Sequence, residues 1–140
     1  MKVIALNGPE NSGKSHTINI AYTLLLEMGY IQVTNKFENL GNPKYEDFTD
    51  ILTKDNIKLG IVAMGDYING NSSLKNLLLN LEKEKCNIAI CACRNNPKII
   101  SAVEKYTDHK IENKTSTSDE TLFRIVNFND AKRLLSHLNL

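Results

Sequence analysis

The sequence predicts an α/β fold of three layers, with helices on both faces of a mostly parallel central sheet. Short continuous apolar runs recur at residues 3–6, 57–64 and 87–93, the pattern of strands buried on both faces. Between and after them lie stretches whose apolar residues repeat at helical spacing, such as Leu74, Leu77, Leu78 and Leu81. Strands that alternate with helices, joined by right-handed crossovers, fold into a layered sheet.

The run at 3–6 stops at Asn7-Gly8-Pro9, and a helix begins near Lys14. Ile18, Ala21, Leu25 and Met28 mark its buried face, and Gly29 suits the position just past its end. Residues 30–34 predict a short strand in which Ile31 and Val33 alternate. Residues 35–47 are the least regular part of the chain, with Leu40-Gly41-Asn42-Pro43 as the clearest turn signal. Residues 48–53 and 57–64 flank the turn formers Lys54-Asp55-Asn56 and predict an antiparallel hairpin, although 48–53 also reads as helix. The second run, being more apolar, takes the more central place.

Asn71-Ser72-Ser73 supplies cap residues for the leucine-striped helix that follows. Another buried strand is expected over 87–93. Asn96 and Pro97 then suit the cap and first position of a helix carrying Ile100, Val103 and Tyr106. A weaker strand spans 109–113, with His109, Ile111 and Asn113 on one face. Ser118, Asp119 and Glu120 open helical material holding Leu122, Ile125 and Val126. It either continues or restarts at Asn129, and Leu134, Leu135 and Leu138 form the last apolar stripe.

At 140 residues the chain has room for one domain, residues 1–140, and for no separate substrate domain. Lys and Arg number 17 against 16 Asp and Glu, a formal charge of +1. Such a balance gives no broad cationic field for nucleic acid or an anionic membrane. The first apolar run is too short for a secretory signal, and no stretch of about 18 apolar residues follows. Cys86, Cys91 and Cys93 form an odd set without disulfide-framework spacing. Cys91 and Cys93 fall on one face of a strand, where free buried thiols are expected; with His109 they match no known metal-ligand spacing. A cytoplasmic location follows from these features.

Chemistry concentrates at Gly8-Pro9-Glu10-Asn11-Ser12-Gly13-Lys14-Ser15, which fits G-x-x-x-x-G-K-[ST]. Glycines let the chain turn tightly, so that successive main-chain amides point inward around an anion. The helix behind adds orphan donors and a favourable dipole. Lys14 then reaches the β- and γ-phosphates of a nucleotide, and the Ser15 hydroxyl is a ligand for Mg²⁺. The motif sits directly between a buried-type strand and an amphipathic helix, the context it requires.

On these residues, from Lys2 to about Met28, the chain resembles the P-loop NTPase superfamily. The resemblance implies nucleotide binding by Gly8 through His16, the last occupying a position near the α-phosphate. It also implies a second apolar strand ending in an acid that holds Mg²⁺ through water. Ile61-Val62-Ala63-Met64-Gly65-Asp66 is the candidate, making Asp66 either that acid or a turn residue after Gly65. Glu10 puts a carboxylate in the loop, facing either the phosphates or solvent. Arg94 follows the strand at 87–93, whose end opens beside the loop; it either stabilises a transferred phosphoryl group or pairs with a carboxylate. Residues 35–47 lie at the same edge, as an acceptor-binding segment or a plain connection.

Subfamily marks are missing. Arg94-Asn95-Asn96-Pro97 stands where a guanine-reading N-K-x-D would follow, which leaves ATP as the default nucleotide. There is no L-S-G-G-Q-like signature and no room for a helical sensor domain. No arginine-bearing lid is visible beyond Arg124 and Arg133. Two functions remain. One is Mg²⁺-dependent hydrolysis or phosphoryl transfer from ATP to a small acceptor, with Lys14, Asp66 and Arg94 as catalytic residues and Ser15 and Asp66 at the metal. The other is a nucleotide-responsive module that signals to a protein partner through residues 35–47 and 66–73.

Overall fold

The computed structural model describes residues 1–41 and 46–138. In chain order, strand β1 (Lys2–Gly8) leads through a tight loop into helix α1 (Lys14–Glu27). Two short strands follow, β2 (Ile31–Gln32) and β3 (Glu38–Asn39), and then the hairpin of β4 (Phe48–Lys54) and β5 (Ile57–Val62). Helix α2 (Leu74–Lys83), strand β6 (Ile88–Arg94), helix α3 (Pro97–Glu104) and strand β7 (His109–Asn113) come next. A 3₁₀ turn (Glu120–Leu122) runs directly into helix α4 (Phe123–Leu135).

The seven strands make one sheet in the order β2-β4-β5-β6-β1-β7, with β3 also paired to β4. β5, β6, β1 and β7 run parallel, while β4 is antiparallel to β5, β2 and β3. The predicted mixed α/β architecture is therefore the observed one. Its hairpin closes through Asp55 and Asn56, both at positive φ, as a two-residue turn that matches strand twist demands.

Strand alternation sorts the core into two halves. Val3, Ala5, Ala89, Cys91 and Cys93 face one side, where they pack with Leu74, Leu78 and Leu81 of α2 and Ile99 and Val103 of α3. Ile4, Leu6, Ile88, Ile90 and Ala92 face the other, against Ile18 and Leu25 of α1 and Leu134 of α4. Period two in the strands and period 3.6 in the helices thus meet in three layers. Helix ends fall where their cap chemistry puts them: the Ser73 side chain accepts from the Asn76 amide, and Asn96 accepts from the Lys98 amide before Pro97. Gly29 takes a left-handed φ of 99° after α1. All three cysteines are free and buried.

Several expectations fail in detail. Met28 is exposed, because α1 has already turned past its buried face. The strand expected at 30–34 shrinks to two residues at the sheet edge, and Ile31 is 64% exposed. Tyr30 is buried, and of the expected alternating pair only Val33 packs partly against the core. Residues 35–47, expected to be irregular, contain β3. Of the turn signal there, Asn42 and Pro43 lie outside the described residues. Leu122 and Ile125, expected on a buried face, are exposed; α4 runs through Asn129 without a break and buries Asp130, Ala131 and Leu134. Among the described residues, no helix is long and apolar enough to cross a membrane.

The parallel register aligns the carboxyl ends of the central strands: Gly8 pairs with Arg94, Asn7 with Asn113, and Val62 with Cys91. The chain leaving β5 presses hardest on its neighbour at Gly65. A Cβ there would stand 1.8 Å from the Ala92 carbonyl oxygen, and the Gly65 carbonyl accepts from the Arg94 amide at 2.9 Å. Gly65→Ala is expected to destabilise the fold by about 3 kcal/mol, because backbone on both sides must shift. Urea unfolding checks this; parental stability in the variant would refute the close approach.

Candidate functional site

The loop between β1 and α1 is built by two glycines with different constraints. At Gly8 a Cβ would lie 2.9 Å from Lys114 Cβ and 3.0 Å from Ser12 Oγ, so space is the limit. At Gly13 the backbone is left-handed, φ 90°, and Asn127 Oδ1 would stand 3.1 Å from a Cβ. Asn11 is left-handed too, at φ 59°. The loop is pinned at its base, where the Asn95 amide donates to the Gly8 carbonyl and the Lys114 amide to the Asn7 carbonyl. The first main-chain bond of α1 runs from the Thr17 amide to the Gly13 carbonyl, which leaves the amides of Lys14, Ser15 and His16 as orphan donors of the first turn. Ser12 Oγ is buried without a hydrogen-bond partner among the described residues.

A cleft of about 880 Å³ opens over this loop. Its other walls include Asp47, Gly65, Asp66 and residues 114–117 from the end of β7. Lys14 is almost wholly buried beneath it, and its ammonium donates to the Pro9 carbonyl at 2.6 Å, folded back over the loop. Burial pushes the Lys14 pKa down, while the nearby negative charge of Asp66 opposes the shift. The Ser15 hydroxyl lies 2.7 Å from Asp47 Oδ1 and 2.9 Å from the Ala63 carbonyl.

Arg94 and Glu10 form an ion pair at 3.1 Å, which ties the loop to the end of β6. Of the alternatives for these residues, Arg94 is paired with a carboxylate, and Glu10, its partner, is largely exposed to solvent. His16 sits 2.8 Å from Glu46. Pro9, Glu10, Asn11, Ser12, Gly13, Lys14, Ser15, His16 and Asp66 all line the cleft, with Gly8 at its root; Arg94 stands beside it through Glu10. Asp66 is half-buried and close enough to act on Lys14, but the carboxylate on the Ser15 hydroxyl is that of Asp47. The His109 ring, considered with the thiols, instead meets the Tyr106 carbonyl through Nδ1 at 2.6 Å.

Two functional-site features escape sequence reading. Asp47 ends an irregular stretch and carries no local pattern. The second is an ion pair between Lys114 and Asp130, 2.8 Å apart, with side chains 2% and 1% exposed. Asp130 also accepts from the Thr115 amide at 2.9 Å and hydroxyl at 2.6 Å, and from Arg133. Its one sequence signal is a position four residues before the buried Leu134, on the apolar face of α4. The pair holds the Lys114 stem over Gly8 and Gly13, so α4 braces the loop through β7.

Among the described residues no group of three or more His, Cys, Asp or Glu side chains is placed to hold a metal ion by itself. What is present is a serine hydroxyl with one carboxylate on it and a second carboxylate, Asp66, in the same cleft. A hard oxygen set of this size fits Mg²⁺, which binds one or two protein ligands and takes the rest from phosphate and water.

No protein-family model, curated protein or solved structure matches the chain.

Burial alone would raise the Asp130 pKa, but the bonds from Lys114, Thr115 and Arg133 outweigh it and hold the carboxyl at about 2, below the ordinary 3.8. A folded value below the unfolded one means stability present above about pH 4 and lost as the pH falls through about 2. The expected loss is on the order of 2 kcal/mol, from the proton linkage. Asp130→Asn is expected to remove that acid-range dependence and, by leaving Lys114 buried without its counter-charge, to lower stability at pH 7 by about 3–5 kcal/mol. Urea unfolding at pH 7, 4 and 2.5 measures both; an acid-range slope unchanged in Asp130→Asn would contradict the assignment.

Proposed function

We propose that this chain is a P-loop nucleotide-binding protein that takes ATP with Mg²⁺ and hydrolyses it or passes its terminal phosphoryl group to a small acceptor. One observation carries the reading: a lysine ammonium buried beneath a cleft, held among the described residues only by a carbonyl of the loop around it, next to the orphan amides of a helix start. A polyphosphate is the ligand that uses all of these at once. It brings negative charge to Lys14, accepts from the amides of Lys14, Ser15 and His16, and meets the positive end of α1.

Within that reading the roles follow from position. Lys14 exchanges the Pro9 carbonyl for phosphate oxygens and stabilises charge as it develops there. Ser15, with Asp47 accepting its proton, and Asp66 are the residues that would hold Mg²⁺, which supplies neutralisation of phosphate charge when bound. Asp66, on the wall of the same cleft, would also orient the nucleophile. Arg94, freed from Glu10, adds a second positive group; while paired, it cancels the carboxylate that Glu10 brings to an anion site.

A second reading, a slow nucleotide-responsive module that signals to a protein partner, is favoured by the bond between Ser15 and Asp47. It joins the phosphate-binding loop to the end of the 35–47 segment, so that occupation of one bears on the other.

Thermal shift with Mg²⁺-ATP tests the shared premise. Saturation at 100 times the dissociation constant is expected to stabilise the fold by about 2.7 kcal/mol, and Lys14→Ala to abolish the effect. No shift at millimolar nucleotide would reject the reading. Phosphate release well above background, lost in Lys14→Ala, separates the enzyme from the module. Asp47→Asn is expected to raise the Mg²⁺ concentration needed for half-maximal nucleotide binding by about tenfold or more. An unchanged Mg²⁺ requirement would remove Asp47 from the metal site.

A further inference from the structure

A second cavity adjoins the cleft. It is a groove of about 760 Å³ along the outer face of α1 and α4, where Ile20 and Leu24 of one helix meet Ile125 and Phe128 of the other. Three of its nine lining residues, His16, Arg124 and Asn127, also line the cleft over the loop, so the two depressions are continuous around the first turn of α1. Along α1 the groove runs from His16 to Leu24, about 12 Å of helix at 1.5 Å per residue. Ile125 and Phe128 are both exposed, and among the described residues Arg124 makes no ion pair and Asn127 no hydrogen bond.

We propose, resting on the reading that phosphates occupy the cleft, that this groove binds the nucleobase and ribose of the same nucleotide. Its chemistry is that of a nucleobase site. Flat aromatic and branched aliphatic surface meets the faces of a ring, and amide and hydroxyl groups stand at its edges to meet ring nitrogens and exocyclic groups. Asn127 is placed at the junction, its amide against Gly13, with a donor and an acceptor to offer. Arg124 stands at the same junction with a planar cation able to stack on a base or reach the α-phosphate. A nucleotide whose tail enters at Lys14 has its sugar leaving past His16, into the groove rather than into solvent. Ile125 and Phe128 are turned outward from the core, and the Lys132 ammonium lies 5.4 Å from the Phe128 ring, a cation beside the surface offered to a base.

Calorimetric titration of the intact chain with Mg²⁺-ATP and with Mg²⁺-tripolyphosphate separates the groove from the cleft. Tripolyphosphate has the tail and no base. ATP is expected to bind about tenfold tighter or more, the scale of aromatic stacking on one base. In the double variant Ile125→Ser, Phe128→Ala the ATP affinity is expected to drop about tenfold while that for tripolyphosphate stays unchanged, which also shows that the variant is folded. Equal binding of the two ligands by the parent chain would overturn the groove assignment alone, with no variant needed. So would an ATP affinity unmoved by the double substitution. If neither ligand binds, both the phosphate reading and this inference fall.

Discussion

Space at the carboxyl end of β1 is the constraint on which the site depends. β1 lies between β6 and β7 in parallel register, and its last residue, Gly8, stands level with Arg94. Neighbouring chains therefore leave on both sides, and the Lys114 stem covers the turn so closely that no side chain fits at Gly8. The loop has to reverse with main chain alone, and a reversing main chain aims its amides inward. Gly13 meets the same crowding from Asn127 and the added demand of a left-handed φ. The concave turn is thus set by packing in the surrounding sheet and helix, and the chemistry of Lys14 and Ser15 is placed by that packing.

Two cations around the cleft are each matched by a carboxylate, while Arg124 on its wall has no ion pair among the described residues. Lys114 is matched by Asp130 beneath the surface, and Arg94 by Glu10 at the rim. These two pairs have different weights. The buried one is enclosed by further hydrogen bonds and would leave a desolvated charge if broken. The exposed one is weak and screened, so it can open at small cost. Lys14 stands apart from both: no carboxylate lies within ion-pair distance among the described residues, and burial lowers its pKa. Of Lys14, Lys114 and Arg94, Lys14 is the one whose environment an entering anion most improves.

Elements with strong local signals were legible in the chain: the buried strands, the leucine stripe of α2, the Asn96-Pro97 start of α3 and the turn at Asp55-Asn56 all fall where their residues put them. So did the glycine-lysine loop, because the motif spans eight consecutive positions and needs no tertiary partner to be seen. Long-range pairings were not. Asp47 reaches Ser15 across 32 residues and Lys114 reaches Asp130 across 16, and neither acid has a neighbour in sequence that announces it. Periodicity also misled where exposed apolar residues mimic a core face: Leu122 and Ile125 fit a helical stripe, yet α4 presents the face of Asp130, Ala131 and Leu134 inward. Strands β2 and β3 are short for a related reason, since among the described residues they pair only with β4 and have little surface to bury.

The Ser15 hydroxyl connects this site to the rest of the molecule. It has one proton and two acceptors within reach, the Asp47 carboxylate and the Ala63 carbonyl. Only one of them can receive that proton at a time. The Ala63 carbonyl is part of the buried chain leaving β5, whose amide is itself held by the Phe48 carbonyl, so it has little freedom to adjust. Asp47 belongs to a connection and follows a residue, Glu46, tied to α1 through His16 and through Asn19. Any ligand that claims a lone pair of the Ser15 oxygen fixes the direction of its proton and thereby favours one acceptor over the other. One hydroxyl thus touches both the buried chain leaving β5 and the residue just before β4.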